Sequence, residues 1–481
     1  MKIVNFRDFN LSESLLKSLE KLGYKNPTEI QQKAIPLILS GKDVIGRSQT
    51  GSGKTAAYGI PICEKTDIEI NNPQALILAP TRELCVQIKE DISNIGRFKR
   101  IKCTAVFGKN PMKLQMRELK QRTHIVVGTP GRTMDHIKKG SLNLHDIKYL
   151  IIDEADKMLN MGFIEQVEDI IKSVPQNRVT LLFSATIPKE IESICRNYMA
   201  NPVSISISPK TAITQTISQS CFEVPENQKA DLLKDIIYKE NPQSSLIFCN
   251  TKEKTDEVYK ELEEEGFSCS KLHGGMLQDD RLSVMESFKR GDFIFLVATD
   301  VAARGIDVEE LNLIVNYDVP FEKESYLHRI GRTGRAGKKG TAVTFASPSQ
   351  MKYLNEIEEY IGFHIPRKPL PDKSEMEILK KSYIENTPAK PVHKIDKGIE
   401  ISKDITKIYI NAGKKKKMRA GDIVGALTGI EGITSDDIGI IDISPDFSYV
   451  DILNGKGDSV LNALKNVKIK GKIIRAERAE K

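Results

Sequence analysis

Lys54 and Thr55 close the loop Ser48-Gln49-Thr50-Gly51-Ser52-Gly53-Lys54-Thr55, which has the composition of a phosphate-binding loop. Its glycines let backbone N–H groups approach a triphosphate, the lysine meets the β and γ oxygens, and the threonine hydroxyl reaches Mg²⁺. Ser48 stands where such a loop usually opens with glycine. Asp153-Glu154 suits the same chemistry: an Asp directly after a strand holds Mg²⁺, largely through water, while the next Glu orients an attacking water. Alone, such a pair is a solvated strand end; following a Gly-Lys-Thr loop, it has a task. His328-Arg329-Ile330-Gly331-Arg332-Thr333-Gly334-Arg335 packs four cations and two glycines into eight residues. Arginines on a separate domain suit insertion opposite a γ-phosphate, an effect of roughly 10³–10⁵ in rate. Taken by itself the cluster reads equally well as a basic helix end.

These residues need elements to hold them. Short, nearly all-apolar runs at 75–79, 125–127, 149–152 and 180–183 alternate with helical patterns, which predicts a buried parallel sheet covered on both faces. Each run ends in a polar cluster: Pro80-Thr81-Arg82-Glu83, Thr129-Pro130-Gly131-Arg132, Asp153-Glu154-Ala155-Asp156 and Ser184-Ala185-Thr186. Ligands of open α/β sheets bind outside the carboxyl ends of the strands, so the four clusters share one functional edge. A second alternating half has strands expected at 245–249, 270–272, 293–297, 313–315 and 341–345, and lacks a phosphate loop of its own. Upstream, a turn at Gly23-Tyr24 and a helix start near Gln31 would bring an aromatic ring and an amide to the phosphate loop. Gln pairs with the adenine N6/N7 edge and Tyr stacks, although singly each reads as an ordinary turn or surface residue.

The chain has 481 residues, enough for about three domains at ~150 residues each. Its net charge of +7 permits a nucleic-acid partner without demanding one. Seven scattered cysteines form no CxxC pair or metal-type spacing and read as reduced thiols. With no apolar signal core and no run of 18 apolar residues, the expectation is a cytoplasmic protein without membrane partners.

Taken together, residues 6–365 resemble the DEAD-box RNA helicases. The resemblance rests on the phosphate loop, the upstream Phe6 with Gly23-Tyr24, Pro27-Thr28 and Ile30-Gln31, and the four strand-end clusters. It continues through Gln278-Asp279-Asp280-Arg281, Ala298-Thr299-Asp300, Ala303-Arg304-Gly305-Ile306-Asp307 and the arginine cluster. Cys85 replaces the usual Ala, and Gly108-Lys109 replaces two glycines that many members place near RNA. The resemblance implies ATP and Mg²⁺ as cofactors and RNA as partner, with two RecA-like domains closing on both. It gives adenine to Phe6, Tyr24 and Gln31, the phosphates to residues 48–55, and Mg²⁺ to Thr55 and Asp153. The attacking water falls to Glu154, the transition state to Arg332 and Arg335, and the ribose region to Gly305 and Asp307. Ser184 and Thr186 would couple the nucleotide to RNA, and His328 would bridge motifs. RNA phosphates would lie on Thr81, Arg82, Thr129, Gly131 and Arg132, and on Asn250, Gly275, Gln278, Arg281, Thr299 and Asp300. Contacts to sugar and phosphate do not read sequence.

The expected organisation is a RecA-like domain over 1–207, a linker over 208–219 and a second RecA-like domain over 220–365. A linker over 366–403, with at most a short helix near 375–383, leads to an α+β RRM-like unit over 404–481 of order βαββαβ. That unit's strands are expected at 406–410, 438–443, 447–453 and 467–474. It lacks the usual RRM aromatic consensus, with only Tyr409 and Tyr449 positioned to face outward. Its conspicuous feature is Lys414-Lys415-Lys416-Lys417-Met418-Arg419, within a stretch carrying 14 basic and 11 acidic residues. Residues 417–427 resemble the carboxy-terminal domain of DbpA-like DEAD-box helicases, which implies a monomer remodelling large-subunit ribosomal RNA during ribosome assembly. A general cold-stress or mRNA-decay helicase, or an ATP-gated RNA clamp, shares the same core residues.

Overall fold

The computed structural model describes residues 5–48, 52–207, 217–303, 311–334, 339–386, 404–465, 467–469 and 472–479. The expectations for Gln49, Thr50, Gly51, Gly305, Asp307 and Arg335 therefore lie outside the described residues. The first sheet comprises β1 (Val44–Arg47), β2 (Ala75–Leu78), β3 (Cys103–Val106), β4 (Ile125–Gly128), β5 (Tyr149–Asp153), β6 (Val179–Ser184) and β7 (Val203–Ser206). All neighbours are parallel, in the order β3-β4-β2-β5-β6-β1-β7. Every residue of β2, β4 and β5 is buried, as a parallel sheet covered by helices on both faces requires. On one face Leu76, Val126, Leu150, Ile152 and Leu182 pack against Val167, Ile170, Ile191 and Ile194 of the covering helices. Each such aliphatic side chain contributes about 1.5–3 kcal/mol by leaving water.

The second sheet is again all parallel: β8 (Ile217–Glu223), β9 (Ser245–Cys249), β10 (Cys269–Leu272), β11 (Phe295–Thr299), β12 (Leu313–Asn316) and β13 (Gly340–Ala346), ordered β10-β11-β9-β12-β13-β8. Its strands bury both faces, with Leu246, Phe248, Leu296, Ala298 and Ile314 on one side and Ile247, Cys249, Phe295, Val297 and Val315 on the other. β3, β7 and β8 were not singled out from the sequence. All three lie at sheet edges, and in β7 and β8 serines and a glutamine interrupt the apolar run. β8 also begins within the stretch read as linker.

Beyond the second sheet the chain does not simply trail away. The Cys221 amide donates to the Pro366 carbonyl at 2.8 Å. The helix Lys373–Asn386 extends beyond the short helix expected near 375–383. Its Tyr383 packs edge-on against Tyr238 and Phe267, at 5.4 and 5.9 Å between ring centroids, which anchors the helix to this unit.

The third sheet is antiparallel, with β14 (Thr406–Ile410), β15 (Ile438–Ile443) and β16 (Ser448–Ile452). Ile408, Ile410, Val450 and Ile452 face a core closed by Ile423 and Leu427 of the helix Ala420–Thr428 and by Val460 and Leu464 of the helix Gly457–Leu464. The expected last strand over 467–474 is corrected. β17 (Lys468–Ile469) and β18 (Lys472–Ile473) pair with each other, and β19 (Ala476–Arg478) is the strand that joins β14. The sheet order is β15-β16-β14-β19.

Candidate functional site

In the first unit the strand order divides the carboxyl edge into two halves. Adjacent strands β5, β6 and β1 end in Asp153-Glu154, Ser184 and Ser48, and adjacent strands β3, β4 and β2 end in Gly108, Thr129 and Thr81.

On the first half, Gly53 adopts φ +88 just before the helix Lys54–Lys65, and a Cβ there would come within 2.5 Å of the Gln31 amide nitrogen. Only glycine fits at that position. Gln31 Nε2 donates to the Gly53 carbonyl at 3.2 Å, and its Oε1 accepts from the Thr28 amide at 2.8 Å. One N–H and one lone pair of that amide stay uncommitted among the described residues, which is the complement an adenine edge requires. Tyr24 stands edge-on to the buried Phe6 at 5.9 Å. Ser48 replaces glycine without loss of order, since its hydroxyl accepts from Ser52 at 3.1 Å.

Asp153 is buried, and its Oδ2 accepts from the Tyr58 hydroxyl at 2.9 Å. Its Oδ1 is buried without a hydrogen-bond partner among the described residues. Burial raises the Asp153 carboxyl above its ordinary range; the Lys54 charge opposes this and the Glu154 charge reinforces it. Glu154 sits in left-handed backbone, φ +54, at the start of the helix Ala155–Asn160. Its Oε2 meets Lys157 Nζ at 2.7 Å with both side chains buried, a pairing the sequence did not suggest. The last Asp of the motif, also missed, links two strands. Asp156 Oδ2 accepts from the Thr186 amide and hydroxyl at 3.1 and 3.2 Å, and its own amide donates to Ser184 Oγ at 3.1 Å. Ser184 and Thr186, the expected coupling residues, are thus tied through Asp156 to the Asp-Glu-Ala-Asp segment.

On the other half, Thr81 Oγ1 accepts from the Leu84 amide and caps the helix Arg82–Ile95, and the helix Pro130–Lys138 starts directly after Thr129. Two helix N-termini at neighbouring strand ends suit phosphate groups. Arg132 donates to the Asn110 carbonyl at 2.8 Å and to Gln115 Oε1 at 3.0 Å, tying the loop after β3 to this helix. The same Gln115 oxygen meets His136 Nε2 at 3.0 Å, and burial lowers that imidazole to about 4. Lys109 adopts φ +60, a left-handed conformation that favours glycine.

In the second unit the carboxyl ends of adjacent strands β10, β11 and β9 carry Gly275, Thr299-Asp300 and Asn250, with Gln278 and Arg281 opening the helix Gln278–Arg290. The Gly275 amide donates to His273 Nδ1 at 3.2 Å. Asn250 and Asp300 do not turn their side chains outward. Both bind Arg329, which is 1% exposed. Arg329 uses all five N–H donors: two on Asp300 at 2.6 Å each, one on Asn250 Oδ1 at 2.9 Å, one on the Asp318 carbonyl at 2.6 Å and one on Asn316 at 3.4 Å. Its Cζ lies over the Phe248 ring, 5.0 Å from the centroid. No role for Arg329 was evident from the sequence. Its only signal there was membership of the arginine cluster. Arg332 is buried three residues on, and His328 is half-buried beside it.

In the third unit Lys414–Lys416 form a single 3-10 turn, and Lys417 at φ +56 leads to Arg419 at the start of the helix Ala420–Thr428. All four lysines and Arg419 are exposed, while Met418 between them is buried in the core. On the opposite face of the sheet Tyr409, Tyr449 and Phe447 form a ring triad with centroids 5.3–5.8 Å apart. Phe447 thus joins the two tyrosines expected there.

Three family models match the chain: DEAD/DEAH box helicase over residues 28–194, helicase conserved C-terminal domain over 228–337, and DbpA RNA binding domain over 407–478. The chain is 54% identical over 477 residues to the ATP-dependent RNA helicase DbpA of Bacillus subtilis, covering 99% of this chain and 100% of that one. It is 46% identical over 357 residues to the ATP-dependent RNA helicase CshA of Listeria monocytogenes, covering 74% of this chain and 69% of that one. Among solved structures it is similar to Saccharomyces cerevisiae Dbp5 bound to RNA and ADP BeF3, with a TM-score of 0.71 and 31% identity over 78% of this chain and 99% of that one. Lys54-Thr55 and the Asp-Glu-Ala-Asp motif lie at the edge of one parallel sheet, Arg329 and Arg332 belong to the unit built on a second, and a DbpA RNA-binding domain follows them in the sequence. The chain belongs to the DEAD-box ATP-dependent RNA helicases, in the DbpA type that carries its own C-terminal RNA-binding domain.

Proposed function

We propose that this helicase remodels ribosomal RNA in assembly intermediates of the large subunit, as a cytoplasmic monomer targeted by residues 404–481. The observation that carries this reading is the exposed row of Lys414–Lys417 and Arg419 at a helix N-terminus, held in place by the buried Met418. Its charge serves phosphates, and its attachment to the core raises the local concentration of the bound RNA. The core itself reads no sequence, so targeting falls to this unit.

The role assignments within the core are those that the family resemblance implies. Mg²⁺ fits the residues present: a buried carboxylate with one oxygen unpartnered suits an ion that keeps most of its water, and Asp153 and Thr55 would hold it. When bound, the ion neutralises charge on the β and γ phosphates. Glu154 orients the attacking water, while Arg332 and Arg335 bear on the charge that develops during transfer. Asp156 relays between Ser184 and Thr186, so that a shift at either residue is felt at the other.

The test is RNA-stimulated ATPase activity of the full chain and of a chain ending at residue 403, with large-subunit rRNA fragments and random RNA at one fixed salt concentration. Ending at 403 keeps the helix Lys373–Asn386 on the second unit. Preference for an rRNA fragment by the full chain alone supports targeting. Equal stimulation of both chains by every RNA overturns it and leaves a general RNA helicase.

A further inference from the structure

Tyr58 is completely buried, one turn into the helix after the phosphate loop. Its ring packs against Phe183 of β6 at 5.4 Å, so van der Waals contact fixes where its hydroxyl points. The hydroxyl donates to Asp153 Oδ2 at 2.9 Å. Thr55 lies one turn earlier on the same helix. Tyr58 therefore binds the carboxylate assigned to the Mg²⁺ side of the nucleotide, and a buried phenol at this point is not required by packing alone, because phenylalanine would fill the same volume.

We infer that Tyr58 is a positioning residue for the metal-side carboxylate: by holding Oδ2 it fixes the rotation of Asp153 and presents Oδ1 toward Mg²⁺ and its water. The inference rests on the assignment of Asp153 to Mg²⁺ made above. A carboxylate with one oxygen pinned and the other without a partner has one orientation to offer, and removing the pin lets it rotate. Outer hydrogen-bond partners of metal-binding groups matter by about 10–100-fold in metal affinity; for an ion held largely through water the lower end applies.

The experiment titrates Mg²⁺ into the full chain with a fluorescent ADP analogue, reading nucleotide affinity rather than turnover, for wild type, Tyr58→Phe and Asp153→Asn. Tyr58→Phe keeps the ring and its packing, so its melting temperature should fall only modestly, by the one buried acceptor left without its donor. Its nucleotide affinity in EDTA should equal that of wild type, while the Mg²⁺ concentration for half-maximal enhancement rises about tenfold. If Asp153→Asn shifts the Mg²⁺ midpoint and Tyr58→Phe leaves it within about twofold of wild type, the role of Tyr58 is overturned and that of Asp153 stands. If neither variant shifts it, the assignment of Asp153 falls and the Tyr58 inference falls with it. A lower affinity of Tyr58→Phe in EDTA, with an unmoved Mg²⁺ midpoint, also overturns the inference, because it marks a defect in the phosphate loop itself.

Discussion

Arg329 and Asp300 form a two-pronged ion pair, with both bonds at 2.6 Å and the guanidinium buried. Together with Asn250 it fastens two strand ends expected at RNA to the helix that leads to Arg332. Lysine has three donors against the five that Arg329 uses, so Arg329→Lys strands at least two acceptors, each at about 1–3 kcal/mol. The second unit should melt earlier, and the RNA concentration for half-maximal ATPase should rise more than the KM for ATP. Equal rises in both would mean that Arg329 serves folding alone.

Glu154→Gln should abolish turnover while ATP binding persists, because the amide still accepts from Lys157 but no longer attracts the water's proton. Retained turnover in an ATPase assay would refute the role given to Glu154.

Lys157→Met leaves the Glu154 carboxylate buried without its cation. Removing one partner of a buried pair costs about 3–5 kcal/mol. The loss in melting temperature should therefore be large in the wild-type background and much smaller when residue 154 is already Gln. A double-mutant cycle of melting temperatures reads the difference, and additive losses would show that the pair contributes nothing.

Lys109→Gly relieves left-handed backbone worth about 1–2 kcal/mol, offset in part by the greater chain entropy of glycine. The first thermal transition should rise slightly. A lower transition would place some other stabilising contact on the lysine side chain.

His124 and His136 are both held near 4 by burial. Their folded values lie below the ordinary imidazole value of 6.5, so the unfolded chain takes up their protons first. Stability is complete above that value and falls as pH drops from 6.5 toward 4, by up to about 1.4 kcal/mol per pH unit for each histidine. Melting temperatures across this window should flatten in a His124→Gln, His136→Gln double variant; an unchanged slope would assign the acid sensitivity elsewhere.

The strand-end clusters were legible in the sequence because a parallel strand buried on both faces is a plain apolar run, and the polar residues at its carboxyl end must lie at one edge of the sheet. The order of those strands was not legible, and it is the order that separates Asp153, Ser184 and Ser48 from Thr81 and Thr129. Lys157, Arg329 and Tyr58 were passed over because their partners lie across the fold or one helical turn away, where spacing carries no unambiguous signal. The last strand was misplaced because Val467, Ile469 and Ile473 alternate as one strand would, and alternation cannot distinguish a strand from a short hairpin.

The ring triad on the third sheet has a practical side as well. Across 13 tyrosines and 16 phenylalanines the chain contains no tryptophan. Its intrinsic emission is therefore tyrosine's alone, and a Phe447→Trp variant would carry one indole flanked by two tyrosine energy donors. Excitation at the red edge would report on that face of the RNA-binding unit without interference from the two helicase units before it. This would let the tail's encounter with RNA be timed separately from the ATP cycle of the core.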